Sequence, residues 1–150
     1  MLAPAIIFSE KIIREAGTGK LSIINSFQKF TGPTLPFAVP PFIVTVSLAG
    51  FSGEGEHQLS VEMLKPSGEV LIPAIDAEVG TEATVNTKDV FEFSFGLPAA
   101  QFEQEGAYEV VLKIADKVAA RRALPVTVTK PPAQPQGSPA VDAPVSSGKE

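Results

Sequence analysis

The sequence predicts an all-β fold, an immunoglobulin-like antiparallel β-sandwich of about eight strands. Three observations carry this. Apolar side chains recur at every second position: Tyr108, Val110, Leu112 and Ile114 alternate with Ala107, Glu109 and Lys113, and Phe91, Phe93 and Phe95 alternate with Glu92 and Ser94. Period two places such residues on one face of an extended chain. The 150 residues include 14 Pro and 12 Gly, and no stretch carries a long helical pattern. Turn signals fall between the apolar runs at the spacing that a sandwich of short strands needs.

The elements follow in chain order. Residues 5–14 hold Ile6, Ile7, Phe8, Ile12 and Ile13, and β-branched residues favour a strand. Ser9 could cap a helix over 9–15, but the glycine turn AGTGK at 16–20 and the return run at 21–27 favour a hairpin. Residues 28–41 contain Pro33, Pro36, Pro40 and Pro41, which supply no backbone donor, so this segment reads as a crossover loop. Phe42, Val44, Val46 and Leu48 then share one face of a strand, and Ile43 adds apolar cover on the other.

Residues 50–56 read as a flexible turn, followed by a strand through Leu59, Val61 and Met63. Lys65-Pro66-Ser67-Gly68 is a strong turn signal. Residues 70–75 form a strand that Pro73 assigns to a sheet edge, and 76–88 read as acidic and irregular. The Phe strand at 90–97 leads into a loop at 97–104, whose Leu97 and Phe102 plug one end of the sandwich. A closing hairpin spans 105–128, with a short turn at Asp116-Lys117 and with Val111 as an exception to the alternation.

The folded domain is expected over residues 1–129. From 130 to 150 the chain holds five prolines, no aromatic residue and no apolar periodicity. Such a Pro/Ala/Ser-rich segment buries too little to offset the entropy of ordering and reads as a disordered tail.

Composition narrows the function. Hydrophobic residues make up 44% of the chain, enough for a core. Cysteine is absent, which excludes disulfides and thiolate metal sites and fits a cytoplasmic protein. The opening residues lack a basic region before their apolar run, and no stretch approaches the ~20 apolar residues of a membrane helix. The chain therefore reads as soluble and intracellular, without a membrane partner. A net charge of -5 disfavours nucleic acid. The charge is unevenly spread: residues 54–109 carry twelve acids and two bases, whereas 110–130 carry five bases and one acid.

Chemistry-bearing groups are sparse. The single histidine, His57, sits beside a glycine-rich turn near Ser52 and Ser60, with no nucleophile motif around either serine. One histidine without cysteine excludes common zinc sites. Asp76, Glu78 and Glu82 read as a solvated acidic loop rather than a calcium site. GTGK at 17–20 lacks the upstream glycine and the following Ser/Thr of a phosphate loop. No catalytic, metal or cofactor-binding residue is assigned, and no cofactor is expected.

Two features are candidate partner contacts. Phe30, Leu35 and Phe37 lie in the proline-rich loop, where sandwich domains place binding residues, although capping of the core accounts for the same residues. Arg121 and Arg122 lie in the last strand. Strict alternation turns one of them inward beside Ala120, Leu124 and Val126, whereas a β-bulge would turn both outward. The expected function is a non-enzymatic protein-interaction or structural module with an unidentified protein partner. The alternative is a small-ligand or carbohydrate-binding domain, disfavoured because one Tyr and no Trp provide few stacking platforms.

Three segments carry a family resemblance: AIIFSEKIIREAGTGKLSIINSF at the start, LPFAVPPFIVTVSL in the middle, and FSFGLPAAQFEQEGAYEVVLKIADKVAARRALPVTV at the end. Their order resembles a family of small uncharacterised bacterial and phage-associated β-sandwich proteins, a domain of unknown function. The resemblance covers most of residues 3–128. It implies the sandwich fold and a phage- or prophage-linked setting, and it assigns no residue a role.

Overall fold

A computed structural model of the chain describes residues 5–129. The expected tail over 130–150 lies outside the described residues, as do residues 1–4. No helix occurs among the described residues, so none is long and apolar enough to cross a membrane. The described residues form eleven strands: β1 (Ala5–Arg14), β2 (Leu21–Phe27), β3 (Phe30–Gly32), β4 (Phe37–Val39), β5 (Phe42–Ala49), β6 (Gly55–Leu64), β7 (Val70–Thr81), β8 (Val90–Leu97), β9 (Ala100–Phe102), β10 (Gly106–Ile114) and β11 (Lys117–Val128). Three of them, β3, β4 and β9, are only three residues long.

The strands form two main sheets, ordered β2-β1-β5-β8 and β3-β11-β10-β6-β7, with β4-β9 as a separate ribbon. All pairings are antiparallel except β3 with β11. The hairpins β1–β2, β6–β7 and β10–β11 stay within a sheet. The passages from β5 to β6, β7 to β8 and β8 to β10 cross between sheets. This is a Greek-key sandwich in which β5, β6, β8, β10 and β11 occupy the B, C, E, F and G places of an immunoglobulin-like domain.

The sequence pattern explains the core. Phe42, Val44, Val46 and Leu48 of β5 face Tyr108, Val110 and Leu112 of β10 and Leu59, Val61 and Met63 of β6 across the interior, and all are buried. Tyr108 stands near the start of β10, and its hydroxyl donates to the Gln104 carbonyl at 2.9 Å. A tyrosine bonded back to the corner before strand F is a hallmark of this architecture. The second cysteine of an antibody domain follows that tyrosine by two residues. Here the place holds Val110, fully buried, so apolar packing stands where a disulfide would.

Four expectations are corrected. The acidic run at 76–88 is not wholly irregular: β7 extends to Thr81, with Ile75, Ala77 and Val79 half-buried against β6 and Asp76 and Glu78 exposed. The turn at 50–56 is shorter, because β6 begins at Gly55 and takes in His57. The segments 28–41 and 97–104 are not plain loops, since β4 and β9 pair there and seat Phe102 fully buried beneath them. The closing turn is Ala115-Asp116, not Asp116-Lys117: Ile114 pairs with Lys117, and both turn residues have positive φ, 52° and 64°. That geometry suits the right-handed twist of a two-residue hairpin. Pro73 does lie on an edge strand, at a register shift between β6 and β7 where its missing N–H does no harm.

Candidate functional site

The candidate contacts from the proline-rich loop separate in the structure. Phe30 and Phe37 join an aromatic cluster at one end of the sandwich. Phe30 lies 4.7 Å from Phe27, 5.4 Å from Phe42 and 5.4 Å from Phe102, centroid to centroid. Phe37 lies 5.7 Å from Phe102. Its ring covers Gly32 so closely that a Cβ there would stand 2.5 Å from ring atoms. Phe37 therefore caps the core. Leu35 has no part in this cluster and is 36% exposed at the tip between β3 and β4.

Phe30 also lines a surface cleft of about 310 Å³, together with Phe27, Phe42, Pro40 and Pro41. Glu10 and Lys29 border the same cleft, which is mainly apolar. The Glu10 carboxylate accepts a hydrogen bond from the Asn25 amide at 2.9 Å, and Asn25 has φ 54°, a conformation asparagine tolerates better than most residues.

The arginines also separate. Alternation holds through this part of β11, and the register shift falls at Leu112/Lys113, before the pair is reached. Arg122 is the inward one. Its guanidinium donates to the Ile6 carbonyl and to Gln28 Oε1. It stands 5.0 Å above the Phe8 ring, a cation–π arrangement. Ile6 lies beyond the last β1–β2 pair at Phe8 and Phe27, so Arg122 supports the sandwich where β2 has ended. Arg121 points outward and pairs with Glu109 at 2.7 Å. A second pair, Lys113 with Glu62 at 2.9 Å, lies on the same face. Between them sits Val111, 1% exposed, which explains its apolar character on an outward-facing position: the stems of long charged side chains cover it.

His57 is not a turn residue. It packs against Phe51 at 4.5 Å and is half-buried, with Nε2 3.4 Å from Thr81 Oγ1. Among the described residues no group of three or more His, Cys, Asp or Glu is arranged to hold a metal ion. Asp76 and Glu78 stand on one exposed face of β7, and Glu78 accepts a hydrogen bond from Gln58 at 2.6 Å.

A further feature lies where the two sheets end. β7 and β8 end their respective sheets on the same side of the sandwich. Between their edges runs an open groove of about 600 Å³, lined by Ala77 and Val79 of β7 and Phe93 and Phe95 of β8. Ile12 and Arg14 of β1 also line it, and Glu78 and Glu92 supply acidic groups. The alternating phenylalanines of β8 were a visible signal, but the half-exposure of Phe91 and Phe93 depends on which strand ends the sheet, while Phe95 is buried.

A model of a family of unknown function, DUF6941, matches residues 4–127. The chain belongs to that family. No match is found among curated proteins. Among solved structures, the chain is similar to the CARDB domain of a Pyrococcus furiosus protein, crystallised in complex with di-metal ions. The two are 14% identical with a TM-score of 0.36, over 84% of this chain and 96% of that one. The sandwich fold of this DUF6941 member rests on its own strand pairing.

Proposed function

We propose that this DUF6941 protein is a non-enzymatic interaction module that takes up an extended segment of a protein partner along the β8 edge. The observation that carries this is the character of that edge. Sheet edges expose unpaired backbone groups, and folded proteins usually blunt them. The other edges of the two main sheets are blunted. β7 carries Pro73, a register shift and two exposed acids, β3 has three residues, and β2 contains the positive-φ Asn25. β8 has eight residues, no proline and a single charge, Glu92. Val90 at its start is 64% exposed. Strand addition supplies affinity through backbone bonds and specificity through alternate side chains. The groove beside Phe93 and Val79 would receive those side chains.

The resemblance noted from the sequence adds a bacterial and phage-associated setting to this proposal, and the absence of cysteine supports a cytoplasmic one. Capsid or tail genes beside its own gene would support the former. The molecular test is capture of a stoichiometric partner followed by hydrogen exchange. New protection confined to residues 90–97, lost in Val90→Lys, supports the reading. A partner whose footprint lies elsewhere overturns it. A second reading, a small-ligand site, is favoured by the aromatic cleft at Phe27 and Phe30. A sugar- or small-molecule-array hit that shifts the Phe30 amide would select it.

A further inference from the structure

We propose that the aromatic cleft at Phe27, Phe30 and Phe42 is the docking site for this chain's own proline-rich segment, residues 131–144. Three observations lead there, independently of the β8 edge. The first is the lining. Three phenylalanines and two prolines form a shallow apolar cleft of about 310 Å³. Aromatic-lined grooves are where extended proline-rich segments bind, because a polyproline helix is already stiff and loses little entropy on docking.

The second is where the described chain ends. β11 runs parallel to β3, with Val126 opposite Phe30 and Val128 opposite Gly32. The Thr129 amide then donates to the Gly32 carbonyl at 3.0 Å. The described residues therefore end with Thr129 beside Gly32, two positions along β3 from Phe30. About four residues, at roughly 3.3 Å each, suffice to double back to Phe30. The segment that follows has five prolines, at 131, 132, 135, 139 and 144.

The third is charge. Lys130 precedes the prolines, and the cleft is bordered by the Glu10 carboxylate. Tethering makes weak contacts sufficient. A short linker gives an effective concentration of order millimolar, so a site with a dissociation constant near 1 mM is about half occupied within the chain.

The chain has no cysteine, so Ser138→Cys in the full chain gives one attachment point for a nitroxide label. The expected result is strong paramagnetic broadening of the Lys29, Phe30 and Thr31 amides. It should fall at least threefold when Pro131, Pro132 and Pro135 are replaced by serine. Those substitutions lie outside the described residues, and unchanged shifts of Val44, Val61 and Val110 would show the sandwich intact. Equal broadening with and without the prolines overturns the proposal, as does broadening restricted to the surroundings of Thr129. In a mixture of labelled chains and isotope-labelled unlabelled chains, broadening would assign the cleft to a second copy and overturn docking within the chain.

Discussion

Tyr108→Phe removes one oxygen and keeps the ring, which isolates the corner hydrogen bond from packing. The ring stays 4.8 Å from Phe102 in an edge-on contact, so the apolar contribution is unchanged. What disappears is the bond from the hydroxyl to the Gln104 carbonyl at 2.9 Å. A neutral hydrogen bond contributes about 0.5–1.5 kcal/mol net, and a stranded buried acceptor costs about 1–3 kcal/mol. Gln104 is an exposed residue, so water can reach its carbonyl and the lower range applies. The expected loss is about 1 kcal/mol, or roughly 4 °C in Tm for a domain of this size. Urea unfolding should show a lower midpoint with an unchanged slope. A loss below ~0.3 kcal/mol would mean that the bond is replaced by water at no cost. A loss above ~3 kcal/mol would mean that the carbonyl is sealed from solvent. Either result refutes the reasoning.

The same substitution has a signed pH dependence. Burial pushes the Tyr108 phenol above its ordinary value of 10.0, and the negative charge of Glu103 adds to the shift. The folded state thus holds the phenol proton more tightly than the unfolded state. By linkage, that stabilisation is fully present below about pH 10 and is lost as pH rises through the folded value. Phenylalanine does not titrate. The advantage of the native chain over Tyr108→Phe should therefore shrink above pH 10, and the native phenolate band, which reports Tyr108 alone, should appear late. A constant difference across that range would remove burial as the cause.

Three further outcomes follow from the structure. Ala115 sits at φ 52°, where an alanine costs about 1–2 kcal/mol and asparagine costs less, so Ala115→Asn should raise stability by about 0.5–1 kcal/mol in urea unfolding. Gly32→Ala would drive a Cβ to within 2.5 Å of the Phe37 ring and should cost about 1–3 kcal/mol, much of it recovered when Phe37 is also replaced by leucine. Arg122→Met keeps the stem but loses two hydrogen bonds and the contact over Phe8, for an expected loss of about 2 kcal/mol. Arg122→Lys should recover part of that, because an ammonium lacks the planar fork. Calorimetric midpoints would check both arginine variants.

Side-chain period made much of this fold legible. β5, β8 and β10 are long enough for alternation to stand out, and their inward residues are the ones read from the sequence. β4 and β9 were not legible, because three residues cannot display a period and their pairing joins segments about sixty positions apart. β7 was cut short for another reason. Asp76 and Glu78 suggested a solvated loop, yet they are the outward half of an alternation whose inward half is Ile75, Ala77 and Val79. The turn at Ala115-Asp116 was misplaced by one residue, since alanine carries no signal for positive φ and only the Ile114–Lys117 pairing reveals it. Arg122 shows the limit of alternation as a guide. Period two gave its inward direction, but its partners Ile6 and Gln28 belong to the opposite sheet and its flank. The β8 groove was hidden for the same reason, since it depends on which strands the two sheets leave at one side.

The sheet orders also bear on how the two proposed contacts relate. In β2-β1-β5-β8 and β3-β11-β10-β6-β7, the strands β2 and β3 lie on one side of the sandwich and β7 and β8 on the other. The aromatic cleft uses Phe27 and Phe30, at the end of β2 and the start of β3. The groove uses Val79 and Phe93, in β7 and β8. From β3 to β7 there are four inter-strand steps of about 4.8 Å, which sets Phe30 roughly 19 Å from Val79, and Val90, paired with Ala49, stands at the opposite end of β8 from the Leu97–Phe42 pair beside the cleft; the two linings approach each other at Glu10 and Ile12 of β1. Sites more than ~10 Å apart without shared partners behave additively, within about 0.5 kcal/mol. Val90→Lys and the three tail proline-to-serine changes should therefore combine without coupling in any partner affinity. A larger interaction energy would bring the tail onto the β8 side and remove the cleft as its seat.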